Sequence, residues 1–141
     1  MAMRFARIAG VLILGVVVSV GSLFAADADK SDVIKVGAVF SVTGPASFLG
    51  APEAKTAEMF VAAINEAGGL NGKKIQLIVK DTGGKPEIAL SLTKQLIDED
   101  KVLAIIGPST SGETMAIKNV CQEEKTILLS CTAAKTIVNP V

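Results

Sequence analysis

Gly68-Gly69-Leu70-Asn71-Gly72-Lys73-Lys74-Ile75 is the stretch on which the fold turns. Two adjacent glycines stop a helix, because its end asks for a residue of positive φ. Asn71-Gly72 then redirects the chain, and the β-rich run at 74–81 reads as a strand. Just before the glycines, residues 51–67 carry Ala54, Ala57, Val61 and Ile64 at three- and four-residue spacing, with Glu53, Glu58 and Glu66 between them. That is the pattern of an amphipathic helix. Further back, Val33-Ile34-Lys35-Val36-Gly37-Ala38-Val39-Phe40 predicts a buried strand, and Ser41-Val42-Thr43-Gly44-Pro45 a loop, since Pro lacks the donor that a strand needs.

Outward in the other direction the same unit repeats. Thr82-Gly83-Gly84 is a loop, and Pro86 with Glu87 opens a second helix whose predicted apolar face is Ile88, Leu92 and Leu96. Residues 102–107 predict a third strand, and Pro108-Ser109-Thr110-Ser111-Gly112 the next loop. Thr110 with Glu113 fits a capping box opening a third helix through about residue 124. A fourth strand is expected at 126–130. Strict alternation of strands and helices implies parallel pairing through right-handed crossovers. The fold class is therefore α/β, a doubly wound parallel sheet with helices on both faces.

The first 25 residues are set apart from this pattern. Arg4 and Arg7 precede an apolar run from Ile8 to Phe24, which ends at Ala25-Ala26 before the polar Asp27-Ala28-Asp29-Lys30. This order predicts a cleaved secretory signal peptide at 1–25, with 26–32 a short polar segment. Leu23 is larger than the small residue preferred three positions before the cut, so the boundary is open by a residue or two. An uncleaved anchor is the other reading, because the run approaches the ~18–20 residues of a spanning helix. No cysteine near the cut is available for a lipid, and the arginines are not paired as in a twin-arginine signal.

After the cut, 14 basic residues less Arg4 and Arg7 leave 12 lysines against 14 acidic residues, a net charge of −2. With no Arg, His, Trp or Tyr remaining, the chain lacks the forked cations and most of the rings that nucleic-acid recognition uses, so no nucleic-acid partner is expected. The roughly 115 residues suffice for one core. Cys121 and Cys131 are read as separate apolar core positions, although an exported compartment would permit a disulfide.

In a sheet of this kind, ligands gather at the carboxyl ends of the strands, where helix N-termini present free N–H groups. The residues there are hydroxyls, glycines and other small side chains. Ser109-Thr110-Ser111 is the most informative group, since three hydroxyls beside a helix start suit a small carboxylate. Plain helix capping, which needs one of the three, accounts for the cluster equally well. Nothing fits an enzyme: there is no His, no G-x-G-x-x-G, and no Lys-Ser or Lys-Thr after Gly44 to Gly50 as a phosphate loop requires. Asp81, a lone carboxylate at a strand end, is a weak candidate for Mg²⁺ and more often closes a loop. No cofactor and no metal is expected.

Ile34-Lys35-Val36-Gly37 leading to Thr43-Gly44-Pro45, then Ile64-Asn65-Glu66-Ala67-Gly68-Gly69-Leu70-Asn71-Gly72-Lys73-Lys74-Ile75, then Ile105-Ile106-Gly107-Pro108 before a serine-rich loop resemble the leucine/isoleucine/valine-binding family of periplasmic proteins, over essentially all of 33–141. The resemblance implies a two-lobed receptor of an ABC importer, whose lobes close on a solute by a hinge. Residues 33–141 would be an incomplete first lobe, expected to bind weakly or not at all alone. The partners implied are a small amino acid or related carboxylate and membrane permease subunits, in the periplasm.

By position, the family's carboxylate-binding serine falls on Ser111, and its backbone contacts after strand four on Thr132, with Ala133 beside it. Two departures bear on specificity. Ala134 stands where a threonine usually helps to hold the amino acid, and Leu49 where an aromatic often precedes the second glycine of loop one. An amide or an aromatic acid is therefore open as ligand. A sensing domain of a signalling receptor is the alternative function, and an exported enzyme a more distant one.

Overall fold

The computed structural model describes residues 33–138, so the predicted leader at 1–25, the segment 26–32 and the last three residues lie outside the described residues. Four strands and four helices alternate: β1 Val33–Phe40, α1 Ser47–Glu66, β2 Lys74–Asp81, α2 Pro86–Asp98, β3 Ala104–Ile106, α3 Ser111–Glu123, β4 Ile127–Leu129 and α4 Lys135–Val138. All pairings are parallel, in the order β2-β1-β3-β4. β1 therefore sends its chain outward through α1 to one side and receives β3 on the other. Such a reversal places a crevice at the C-terminal ends of β1 and β3.

β1 and β2 begin and end where the sequence predicts, and pair along their full length, Val33 with Lys74 through Phe40 with Asp81. At the helix end between them Gly69 has φ 84, and a Cβ there would lie 2.2 Å from the Lys73 carbonyl oxygen, so glycine is required. β3 and β4 are shorter than predicted. Only Val36 to Ala38 pair with Ala104 to Ile106, and the chain leaves the ladder at Gly107.

α1 starts at Ser47, four residues before the predicted 51, so Leu49 and Gly50 are helical rather than part of the loop. The reason for Gly50 is contact: a Cβ would fall 2.3 Å from the Ser41 carbonyl oxygen, so the first turn of α1 crosses the end of β1 backbone to backbone. On α2 the buried residues are Ala89, Thr93, Leu96 and Ile97, and Ile88 is turned out. The inward stripe is thus rotated from the predicted Ile88, Leu92 and Leu96. α2 and α3 lie together against one face, where Val39, Leu96, Ile105 and Ile117 are fully buried. Burial of this kind contributes about 1.5–3 kcal/mol per large side chain. α1 alone serves the opposite face, over Ala38 and Phe40.

Candidate functional site

The strand-end loops are held together by one buried carboxylate. Thr110 is the N-cap of α3, and the predicted capping box forms: the Glu113 backbone N–H donates to Thr110 Oγ1 at 3.4 Å, and the Thr110 N–H donates to Glu113 Oε2 at 3.1 Å. Glu113 does more than cap. It is fully buried and also accepts from the hydroxyls of Ser41 at 2.9 Å, of Thr110 at 2.5 Å, and of Thr82 in a short contact.

The hydroxyl triplet divides by function. Ser109 is buried; its Oγ accepts from the Ser41 N–H at 3.0 Å and donates to Glu53 of α1 at 2.5 Å. Thr110 is the cap. Ser111, half-buried in the first turn of α3, has no side-chain partner among the described residues, so its hydroxyl is available. The first-turn N–H groups of a helix have no partner within it, and their positive end favours an anion. Ser109 and Thr110, grouped with Ser111 in the sequence, are thus committed to internal bonds.

The loop after β4 adjoins the same turn. Thr114, three residues beyond Ser111 and hence on the same side of α3, forms a hydroxyl triangle with Ser130 at 2.9 Å and Thr132 at 3.2 Å, closed by Ser130 to Thr132 at 2.8 Å. The Thr132 N–H leans on Ser130 Oγ at 3.4 Å. Ala133 is exposed and Ala134 half-buried, and the Ala134 carbonyl accepts from Ile137 as the chain turns into α4. Leu49 sits in the first turn of α1, 39% exposed beside Phe48.

Sequence reasoning missed Ser41, Glu53, Thr82, Thr114 and Ser130. Each meets its partner from a different part of the chain, and their one local trace is position at a strand end or helix start. Asp81 closes loops: it accepts from the Thr43 hydroxyl at 2.6 Å, the Thr43 N–H at 3.1 Å and the Gly83 N–H at 2.9 Å. Burial pushes its carboxyl up, but these bonds outweigh it and hold it below the ordinary aspartate value. Cys121 is a core residue, as expected, and burial pushes its thiol up to about 11. Cys131 corrects the sequence reading: it is exposed, and the two thiols are free. Having no packed layer over it on the α1 side, it faces Glu53 across an open groove.

That groove, about 660 Å³, runs along the α1 face from Val36 and Ile75 to the strand ends, where Phe40, Leu49, Ile106 and Cys131 line it. Phe48, Phe60 and Ile106 dominate its walls, with Glu53 the one charged group, so its chemistry is that of an uncovered core and not of a carboxylate site. A second concavity, about 590 Å³, lies behind β4 against Ser130, Thr132 and Ala134. Among the described residues no group of His, Cys, Asp or Glu is placed to hold a metal, and no helix is long and apolar enough to cross a membrane.

Residues 33–140 match the family model described as periplasmic binding protein. Leu/Ile/Val-binding protein homolog 3 of Brucella melitensis is 31% identical over 115 residues, which are 82% of this chain and 30% of that protein. The branched-chain amino acid transporter substrate binding protein LivJ from Streptococcus pneumoniae, solved with isoleucine, superposes with a TM-score of 0.71 at 36% identity, over 73% of this chain and 30% of that one. A solute binding protein of an ABC transporter from Rhodopseudomonas palustris BisB5, solved with 3,4-dihydroxybenzoic acid, gives a TM-score of 0.67 at 27% identity, over 75% and 29%. The chain spans about 30% of the length of the relatives it matches. With its parallel α/β order and a family match over nearly all the described residues, the chain belongs to the periplasmic binding protein family.

Proposed function

We propose that this chain supplies the carboxylate-holding face of an exported solute receptor for an ABC importer, whose ligand is a branched-chain or other apolar amino acid. It performs no reaction. Ser111 carries the reading: its hydroxyl, alone of the triplet, has no side-chain partner among the described residues, at the helix end whose field favours an anion. A bound carboxylate would take this hydroxyl and the N–H groups of Ser111 and Gly112, the first-turn donors that the capping box leaves free, with the backbone of residues 132–134 beside it. A relative bound to isoleucine supports an amino acid as the solute. The cleaved leader and membrane permease partners follow from the same reading.

An aromatic carboxylic acid is the second ligand reading. Ala134 offers no hydroxyl to an ammonium group, and a neighbour of similar fold was solved with 3,4-dihydroxybenzoic acid. The test is a complete receptor, made by joining this chain to the remaining length of a Leu/Ile/Val-binding relative, titrated calorimetrically with isoleucine and with 3,4-dihydroxybenzoic acid. Whichever acid binds, Ser111→Ala should weaken it by about 1.5–3 kcal/mol, the range for a hydrogen bond to a charged group. An unchanged dissociation constant would reduce Ser111 to an ordinary first-turn residue.

A further inference from the structure

A capping box requires its glutamate to reach one backbone N–H, that of the N-cap. Glu113 reaches that N–H and three hydroxyls besides, just past β1, just past β2 and on the cap itself: Oε2 takes Ser41, Thr110 Oγ1 and Thr110 N–H, and Oε1 takes Thr82. Burying a carboxylate without a cation is costly unless its oxygens are fully bonded, so each donor is held in place by the need to satisfy it. Ser41 and Thr82 are likewise fully buried, and Thr82 and Ser41 also face each other at 3.5 Å. Three segments far apart in sequence are therefore fixed to one point directly beneath the first turn of α3. Ser111 lies two residues before that point.

We infer that Glu113 is the positioning residue of the ligand site: it touches no solute, and sets the first turn of α3, and so the Ser111 hydroxyl, against the ends of β1 and β2. This rests on the reading of Ser111 given above. Aspartate separates the two roles of Glu113, since it is still acidic in the first turn of the helix. Its arm, shorter by one methylene or roughly 1.5 Å, does not span to Ser41 and Thr82.

In the full chain as it stands, Glu113→Asp should speed amide hydrogen exchange at Ser41 and Thr82 while leaving Val39 and Ile117, in the strand and helix interiors, as they were. In the completed receptor, isoleucine affinity should fall about tenfold or more for Ser111→Ala and about five- to tenfold for Glu113→Asp. The double variant should be no worse than Ser111→Ala, because one acts through the other. Glu113→Gln, which keeps the arm length, should recover part of the loss. Ser41→Ala with Thr82→Val removes the strand-end bonds while sparing the cap, and should match Glu113→Asp; it serves where the Glu113 variants fail to fold by circular dichroism. If Ser111→Ala weakens binding and neither Glu113→Asp nor the Ser41/Thr82 pair does, or if the losses multiply, the positioning role is overturned and the site stands. If Ser111→Ala is harmless, the site reading falls first and the inference with it.

Discussion

On the α2 and α3 side of the sheet, Val39, Leu96, Ile105, Ile117 and Cys121 have almost no exposure. On the α1 side the buried apolar side chains among the described residues are Ala38, Phe40 and Ala54, and Phe48, Phe60, Ile127 and Leu129 are each more than half exposed. The difference is one of widths. A helix is about 10 Å across and strands lie about 4.8 Å apart, so one helix covers two strands and a four-stranded sheet needs two per face. α2 and α3 together satisfy that count. α1, placed over β1 and β2, leaves β3 and β4 bare, and the large groove runs along its free edge, beside Phe40 and Ile106.

Each face carries one cysteine, which offers the largest expected contrast. Cys131, on the open side, should be alkylated by iodoacetamide in the native chain, although burial and then Glu53 push its thiol up against a partial offset from the Gly107 N–H. Cys121, buried and raised to about 11, should react slower by a factor on the order of a hundred or more until urea unfolds the chain. Mass spectrometry of the two peptides measures both rates. Equal native rates would mean that the α2 and α3 face is not closed.

Stability separates the faces next. Leu96→Ala, emptying a fully buried position, should lower unfolding free energy by about 2–5 kcal/mol in urea titrations. Phe60→Ala, which removes a larger side chain from the open face, should change it by less than about 0.5 kcal/mol. A comparable cost for the two would show that the groove is filled in solution.

The smallest effect is expected at the strand-end loops, which join the two faces. The Asp81 carboxyl ionises at lower pH when folded than when unfolded, so its bonds to Thr43 and Gly83 stabilise above the unfolded value, about 3.9, and fade as pH falls through the folded one. Wild type should therefore exceed Asp81→Asn slightly in urea midpoint near neutral pH, with the gap closing in acid. A gap independent of pH would assign the difference to amide geometry instead of charge.

What the sequence made legible follows the same division. β1, β2, the start of α2 at Pro86 and the capping box of α3 were all readable, because each is set by chemistry within a few residues. The start of α1 was not, since its N-cap is Ala46 with no side-chain cap, and what fixes the helix there is Gly50 pressed on Ser41. Nor was the division of labour among Ser109, Thr110 and Ser111. Ser109 is claimed by Ser41 and Glu53, 68 and 56 residues away, and no local pattern announces such partners. Glu113 was visible as a cap and invisible as a hub for the same reason. The resemblance to the periplasmic binding proteins was legible because the turn that carries it, Asn65 through Gly72, is local.

Asn65 has a further consequence, for how this protein keeps company with itself. Its carboxamide donates to the Ile75 carbonyl and accepts from the Ile75 N–H, each at 2.7 Å, so at the second residue of β2 a side chain does what the backbone of a neighbouring strand would do. β2 is an outer strand, and the unpaired groups of such strands are templates on which a second molecule can add and polymerise. At Ile75 that template is already occupied. The last turn of α1 thus acts as a stopper on the rim of the sheet, closing that rung to a strand arriving from outside.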